Sequence, residues 1–99
     1  MTISRTNEGG AIILAVEGRL DTRTSPQFQE ALIPLFDEVK EVRIDCADVV
    51  YVSSAGLRVL LMGAKTAKAK GTTMTLINVS EDVMNVLEIT GFAGILTIE

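Results

Sequence analysis

The sequence predicts an α/β fold: a mixed, mostly parallel β-sheet of four to five strands with about three helices, in the order β-β-α-β-α-β-α-β. Three observations predict it. Short apolar or alternating runs of strand length alternate along the chain with longer segments whose apolar residues recur at helical spacing. Gly9 and Gly10 lie between the first two runs, where glycine supplies a tight turn cheaply, so those runs read as an antiparallel hairpin. The strand–helix–strand units that follow call for parallel pairing through right-handed crossovers, with the helices packed against the sheet. The 99 residues contain no repeat, low-complexity tract or linker and read as a single domain, 1–99.

Each element has its own signal. Thr2–Thr6 is a short edge strand, and Asn7, Glu8, Gly9 and Gly10 form its turn. Ala11–Val16 is an unbroken apolar run, which points to a strand buried on both faces. Gly18–Thr24 reads as a polar loop. Ser25 reads as an N-cap with Pro26 at the first helical position. Phe28, Leu32, Leu35, Phe36 and Val39 follow at helical spacing, but the ring of Pro34 crowds the carbonyl of Glu30, so a kink or break is expected there. Glu41–Cys46 alternates and puts Val42, Ile44 and Cys46 on one face of a strand. Val49–Ser53 reads as a connection. The next helix runs from about Ala55 to Ala69, with Leu57, Leu60, Leu61 and Ala64 as its buried stripe. Lys65, Lys68 and Lys70 suit the negative end of its dipole, and Gly71 stops it. Thr73–Asn78 is a strand. Ser80 caps a helix with Glu81 and Asp82 in its first turn, Val83, Val86 and Leu87 on its apolar face, and Gly91 at its end. Ile95–Ile98 is the last strand.

Composition excludes several classes of function. The net charge is −4 and no basic tract of five or more residues exists, which argues against electrostatic binding of nucleic acid. There is no histidine and a single cysteine, Cys46, which removes a Ser-His-Asp triad, a Cys-His dyad, a zinc finger and a disulfide framework. An enzyme is therefore not expected, and neither a metal nor a cofactor is called for. The lone cysteine fits a reducing compartment. The opening MTISRTNEGG has no apolar core of a signal peptide, and the longest apolar run, Ala11–Val16, is far shorter than the roughly 20 residues of a membrane span. A cytoplasmic protein without membrane insertion is the expectation. Cys46 reads as a small core residue. Asp45 and Asp48 read as turn formers, and Tyr51 as a packing residue with its hydroxyl at the surface. Arg19 and Arg23 are either solvated or contacts for a partner or a phosphate.

The segment Asp45–Leu61, DCADVVYVSSAGLRVLL, carries the most information. It runs from a strand through a turn into a helix that opens with Ser53, Ser54, Ala55 and Gly56. Free N–H groups at a helix start attract negative charge. A serine there is either a plain cap, which spacing alone favours, or an acceptor for a phosphoryl group. Gly56 removes a side chain from the approach surface and lets another molecule come close.

The stretch VYVSSAGLRVLL resembles the phospho-acceptor turn of bacterial anti-sigma factor antagonists, the STAS-domain family. GRLDTRTSPQFQEAL, Gly18–Leu32, is similar to that family's second signature, a Gly-x-Leu-Asp loop before the first helix. The resemblance covers nearly the whole chain. It puts the acceptor serine on Ser54, the aspartate usual before it on Ser53, and the following serine or threonine on Ala55, while Gly56 and Leu57 match. Asp21 matches the loop aspartate and is implied to lie near Ser54. Ser53 replaces a carboxylate and so remains an alternative acceptor. The resemblance implies a non-enzymatic switch. The unphosphorylated form binds an anti-sigma factor that is also a serine kinase, a histidine-kinase-like ATPase, and so frees a sigma factor. Phosphorylation ends the binding and a serine phosphatase restores it. The partner surface so implied comprises Asp21, Thr22, Ser53, Ser54, Ala55, Gly56, Leu57 and Arg58. The alternative is a stand-alone STAS subunit of a lipid-transport ABC system, docked on its ATPase through the same surface. The serine and the Gly-Arg-Leu-Asp loop lean toward the antagonist.

Overall fold

A computed structural model describes residues 1–99. The chain forms β1 (Thr2–Glu8), β2 (Ala11–Leu20), α1 (Ser25–Leu32) running into a 3-10 helix (Ile33–Asp37), β3 (Glu41–Val52), α2 (Ser54–Ala69), β4 (Thr73–Ile77), α3 (Glu81–Ile89), a 3-10 turn (Phe92–Gly94) and β5 (Thr97–Ile98). The fold class is the one the sequence predicts. One five-stranded sheet has the order β1-β2-β3-β4-β5, with β1 antiparallel to β2 and the rest parallel.

That order decides where the core lies. Parallel strands laid down one after another in the same direction, each joined by a right-handed crossover, carry all their helices on one face. Phe28 of α1, Leu60 of α2 and Leu87 of α3 accordingly meet Val16, Ile44 and Leu76 of the three central strands around one small apolar void. The unbroken apolar run of β2 is therefore not buried on both faces, as its composition suggests. Ile12, Leu14 and Val16 are buried beneath the helices, whereas Ala11, Ile13 and Ala15 are half-exposed on the helix-free face.

Several strand ends differ from the sequence reading, and the reason is mutual. β2 continues through Gly18 and Arg19 to Leu20, and β3 continues through Asp48 to Val52, because these two extensions pair with each other. The β2 extension does not look like a strand alone, and the strand formers Val49–Val52 are set off from Glu41–Cys46 by Ala47 and Asp48. Their ladder is irregular between Ala15 and Glu17 and between Gly18 and Arg19, and Gly18 takes φ 108° there. Val49–Val52 is thus strand rather than connection, and Asp45 and Asp48 lie within β3 rather than in a turn. Asp45 accepts hydrogen bonds from Ala47 N at 3.0 Å and from Asn78 Nδ2 at 3.1 Å, which ties β3 to the turn after β4. Asn78 is not in β4; its φ of 56° bends the chain toward α3. β1 extends to Glu8, and β5 is only Thr97–Ile98.

Helix signals fare better. Pro34 breaks α1 as expected, into the 3-10 helix that starts at Ile33. Ser25, however, is the first residue of α1 and buried, its hydroxyl donating to the Asp21 carbonyl, so Thr24 takes the N-cap position and Pro26 falls one place later. α2 starts at Ser54, one residue before the expected Ala55. Its buried face includes Leu57, Val59, Leu60, Gly63 and Ala67, while Leu61 and Ala64 sit at its margin. Ser80 caps α3 by accepting from Val83 N at 3.2 Å.

Candidate functional site

β2 and β3 end side by side, Leu20 opposite Val52. Just past this point the chain turns into α1 from one strand and α2 from the other. Ser53 N donates to the Leu20 carbonyl at 2.8 Å, which adds one rung beyond the ladder. Ser53 is extended, with φ −92° and ψ 176°, and acts as the N-cap of α2. Its Oγ accepts from Gly56 N at a long 3.5 Å, and its carbonyl accepts from Leu57 N at 2.9 Å. Ser53 is half-buried and committed to the helix start, whereas Ser54, the first helical residue, is exposed. No acidic residue stands in the first turn of α2 to offset its dipole.

Gly56 works differently from the sequence reading. A Cβ there would lie 2.7 Å from the Leu20 carbonyl oxygen and 2.8 Å from Leu20 Cγ. The missing side chain lets α2 press on the molecule's own β2, not an outside molecule on α2. Gly56 and Leu57 are buried and hold the helix start in place. The surface of the proposed site is left to Thr22, Ser54 and Arg58, which are exposed, and to Asp21, Ser53 and Ala55, which are half-exposed.

Asp21 braces the loop beside this helix start. Its Oδ1 accepts from Arg23 N at 3.0 Å and Thr24 N at 3.2 Å, while Asp21 N donates to Thr24 Oγ1 at 2.9 Å. Loss of water raises the carboxyl's pKa, but the hydrogen bonds from the Thr24 and Arg23 amides and the Thr24 hydroxyl, together with the charge of Arg19, outweigh it. The net effect holds Asp21 below the ordinary 3.8. Arg19 is also accounted for: it lies 4.3 Å from the centre of the Tyr51 ring and 3.5 Å from Asp21 Oδ2. Arg23 takes part in no ion pair.

Sequence reasoning missed one neighbour of this surface. Pairing between β3 and β4 stops at Asp45, so the second half of β3 has a strand partner on the β2 side alone. Val50 and Tyr51 lie there, 68% and 41% exposed. A signal was present: Val49, Val50, Tyr51 and Val52 are all strand formers, and the run was long enough to extend β3.

Chemically, this end of the molecule offers an exposed hydroxyl on a helix start, with exposed Arg58 four residues on in the same helix. It holds no histidine, and no group of three or more acidic or thiol side chains in the chain is arranged to hold a metal ion. No helix is long and apolar enough to cross a membrane.

Comparison with known proteins places the chain. A family model described as the STAS domain matches residues 2–99. The chain is 34% identical over 83 residues to the anti-sigma-B factor antagonist of Bacillus subtilis, an alignment spanning 84% of this chain and 76% of that protein. In fold it is similar to the protein TM1081 of Thermotoga maritima, with TM-score 0.89, 20% identity and coverage of 97% of this chain and 84% of the other. It is also similar in fold to the Bacillus cell fate determinant SpoIIAA in its phosphorylated form, with TM-score 0.75, 14% identity and coverage of 99% and 91%. With the family model matched from Thr2 to Glu99 and a closely covered relative of this kind, the chain belongs to the STAS-domain family of anti-sigma factor antagonists.

Proposed function

We propose that residues 1–99 act as one STAS module that binds an anti-sigma factor serine kinase, a histidine-kinase-like ATPase, through the exposed start of α2, and that phosphorylation of Ser54 ends this binding. The module is a binding protein and not an enzyme. While bound, the kinase gives up its sigma factor. The kinase moves the γ-phosphoryl group of ATP onto Ser54 Oγ, ADP leaves and the hydroxyl proton is lost; a serine phosphatase hydrolyses the ester. Such a cycle belongs in the cytoplasm, where ATP and sigma factors are.

The observation that carries this reading is the division of labour between two serines. Ser53 is half-buried and caps α2, while Ser54 presents its side chain to solvent. That favours Ser54 over Ser53 as the acceptor. A neutral hydroxyl at a docking surface is covered at little cost. A phosphate of charge about −1.5 to −2 must instead be stripped of water or meet the partner's carboxylates. The penalty is on the order of several kcal/mol, or orders of magnitude in affinity, with no refolding. The antagonist reading is favoured over an ABC-transporter subunit because the curated relatives are named anti-sigma factor antagonists.

Incubation with the cognate kinase and ATP is expected to add one phosphate, and Ser54→Ala to abolish it. Label that persists in Ser54→Ala but is lost in Ser53→Ala moves the acceptor by one residue. Ser54→Asp is expected to weaken kinase binding with a melting temperature no lower than wild type. Equal affinity of the two forms would count against the electrostatic account.

A further inference from the structure

We infer that Arg58 is the built-in counter-ion of a phosphate on Ser54, an inference that rests on the reading of Ser54 above. The two residues stand four apart in α2, so they lie on the same face one turn apart, and both are exposed. Helical side chains lean toward the N-terminus, so Arg58 leans over the turn that Ser54 opens.

Arg58 is also free. The ion pairs of the protein engage Arg5, Arg19, Arg43 and Lys70, and none involves Arg58. Arg19, by contrast, is stacked on Tyr51 and paired with Asp21. The first turn of α2 holds no carboxylate to compete, whereas α3 opens with Glu81 and Asp82. The other charged groups toward this end of the sheet are the Arg19–Asp21 pair and Arg23 beside α1, the Met1 amino group beside that pair, Glu17 on β2 opposite Asp48 on β3, and the two acids of α3.

This arrangement makes the switch more than the addition of an anion. Before modification, Arg58 offers its planar fork of donors beside the docking hydroxyl, free for a carboxylate of the kinase. Afterwards the phosphate engages that fork within the same chain. Phosphorylation thus adds a repulsive group and withdraws an attractive one, without moving the backbone.

The test uses the full chain with phosphoserine installed at position 54 during translation, so that no kinase is needed. Phosphorus NMR follows the phosphate's second ionisation, ordinarily near pH ~6. Arg58→Gln is expected to raise that midpoint by about 0.3–0.7 of a pH unit. The difference should collapse in molar salt. Lys65→Gln removes the same charge about 16 Å along α2 from Ser54, beyond the screening length, and is expected to leave the midpoint in place. An unchanged midpoint in Arg58→Gln overturns the inference, and so does an equal shift in Lys65→Gln, which would mean diffuse charge rather than a pair. Failure of the kinase to modify Ser54 is a separate result: it sinks the proposed switch, not the pairing measured here.

Discussion

Ser53 and Ser54 have the same side chain, and backbone dihedrals alone separate their roles. Ser53 is extended and turns its hydroxyl back onto the Gly56 amide, while Ser54 is already helical and faces solvent. At 3.5 Å the cap is weak, so Ser53→Ala is expected to cost only about 0.5 kcal/mol, the low end for a lost cap. Ser53→Asp puts a carboxylate on the same amide at the positive end of the dipole. It should add about 0.3–1 kcal/mol, read as a raised urea midpoint with unchanged slope. A lowered midpoint would mean that the capping geometry is wrong. Asp21 gives a pH prediction. Its folded-state pKa is depressed below 3.8, so the stability it contributes is fully present above that value and is lost as pH falls through the folded-state value. Asp21→Asn should therefore be less stable than wild type near neutrality, and the two urea midpoints should converge in acid below about pH 3.8. Divergence on acidification would contradict the hydrogen-bond assignment.

Between elements, the decisive contact is α2 against the end of β2. Gly56→Ala drives a Cβ to within 2.7 Å of a backbone oxygen, which cannot rotate away. A loss of about 1–3 kcal/mol is expected, together with weaker kinase binding, because the turn that displays Ser54 must shift. Gly63→Ala is the comparison. Its Cβ would meet Leu32 Cδ2 at 2.8 Å and Met74 Sδ at 2.9 Å, both at the movable ends of side chains. It should cost less in denaturation and leave kinase affinity unaltered; the reverse ranking would discount the backbone clash. Legibility divides along the same line. The Ser80 cap, the Pro34 break, the Gly9-Gly10 hairpin and the Gly71 stop were readable because each is a matter of a few neighbouring residues. The extension of β2 was not, because Gly18–Leu20 is held by β3 across more than thirty residues of chain, and that of β3 left only the weaker trace of four strand formers. The role of Gly56 was visible as a small residue but not as a contact, since Leu20 is far away in sequence.

At the scale of the molecule, Thr75 of β4 is buried on the helix-free face, opposite Arg43, but a sheet covered on one side places its apolar core side chains under the helices. Cys46 is one of them, and burial, aided by the charge of Asp45, pushes its thiol up to about 12. The thiolate is thus scarce at ordinary pH and out of reach. Cys46 is expected to resist a colorimetric disulfide reagent in the native protein and to react in urea with the same midpoint as the loss of helix signal. Fast labelling without denaturant would reveal that the central part of β3 opens by itself.

The sequence alone determined the kinds and order of the elements, the Ser80 cap of α3, the Pro34 break and the Gly71 stop, the absence of histidine chemistry, and the two signatures that lead to the family. These follow from backbone preferences and side-chain chemistry that act over a few residues, or from composition. Only the tertiary structure decided that the sheet is covered on one face, that Gly56 serves the molecule's own packing, and that Ser53 is the cap while Ser54 is exposed. Those depend on which distant segment arrives to cover a surface or complete a hydrogen bond, and such meetings are settled by the packing of the whole chain.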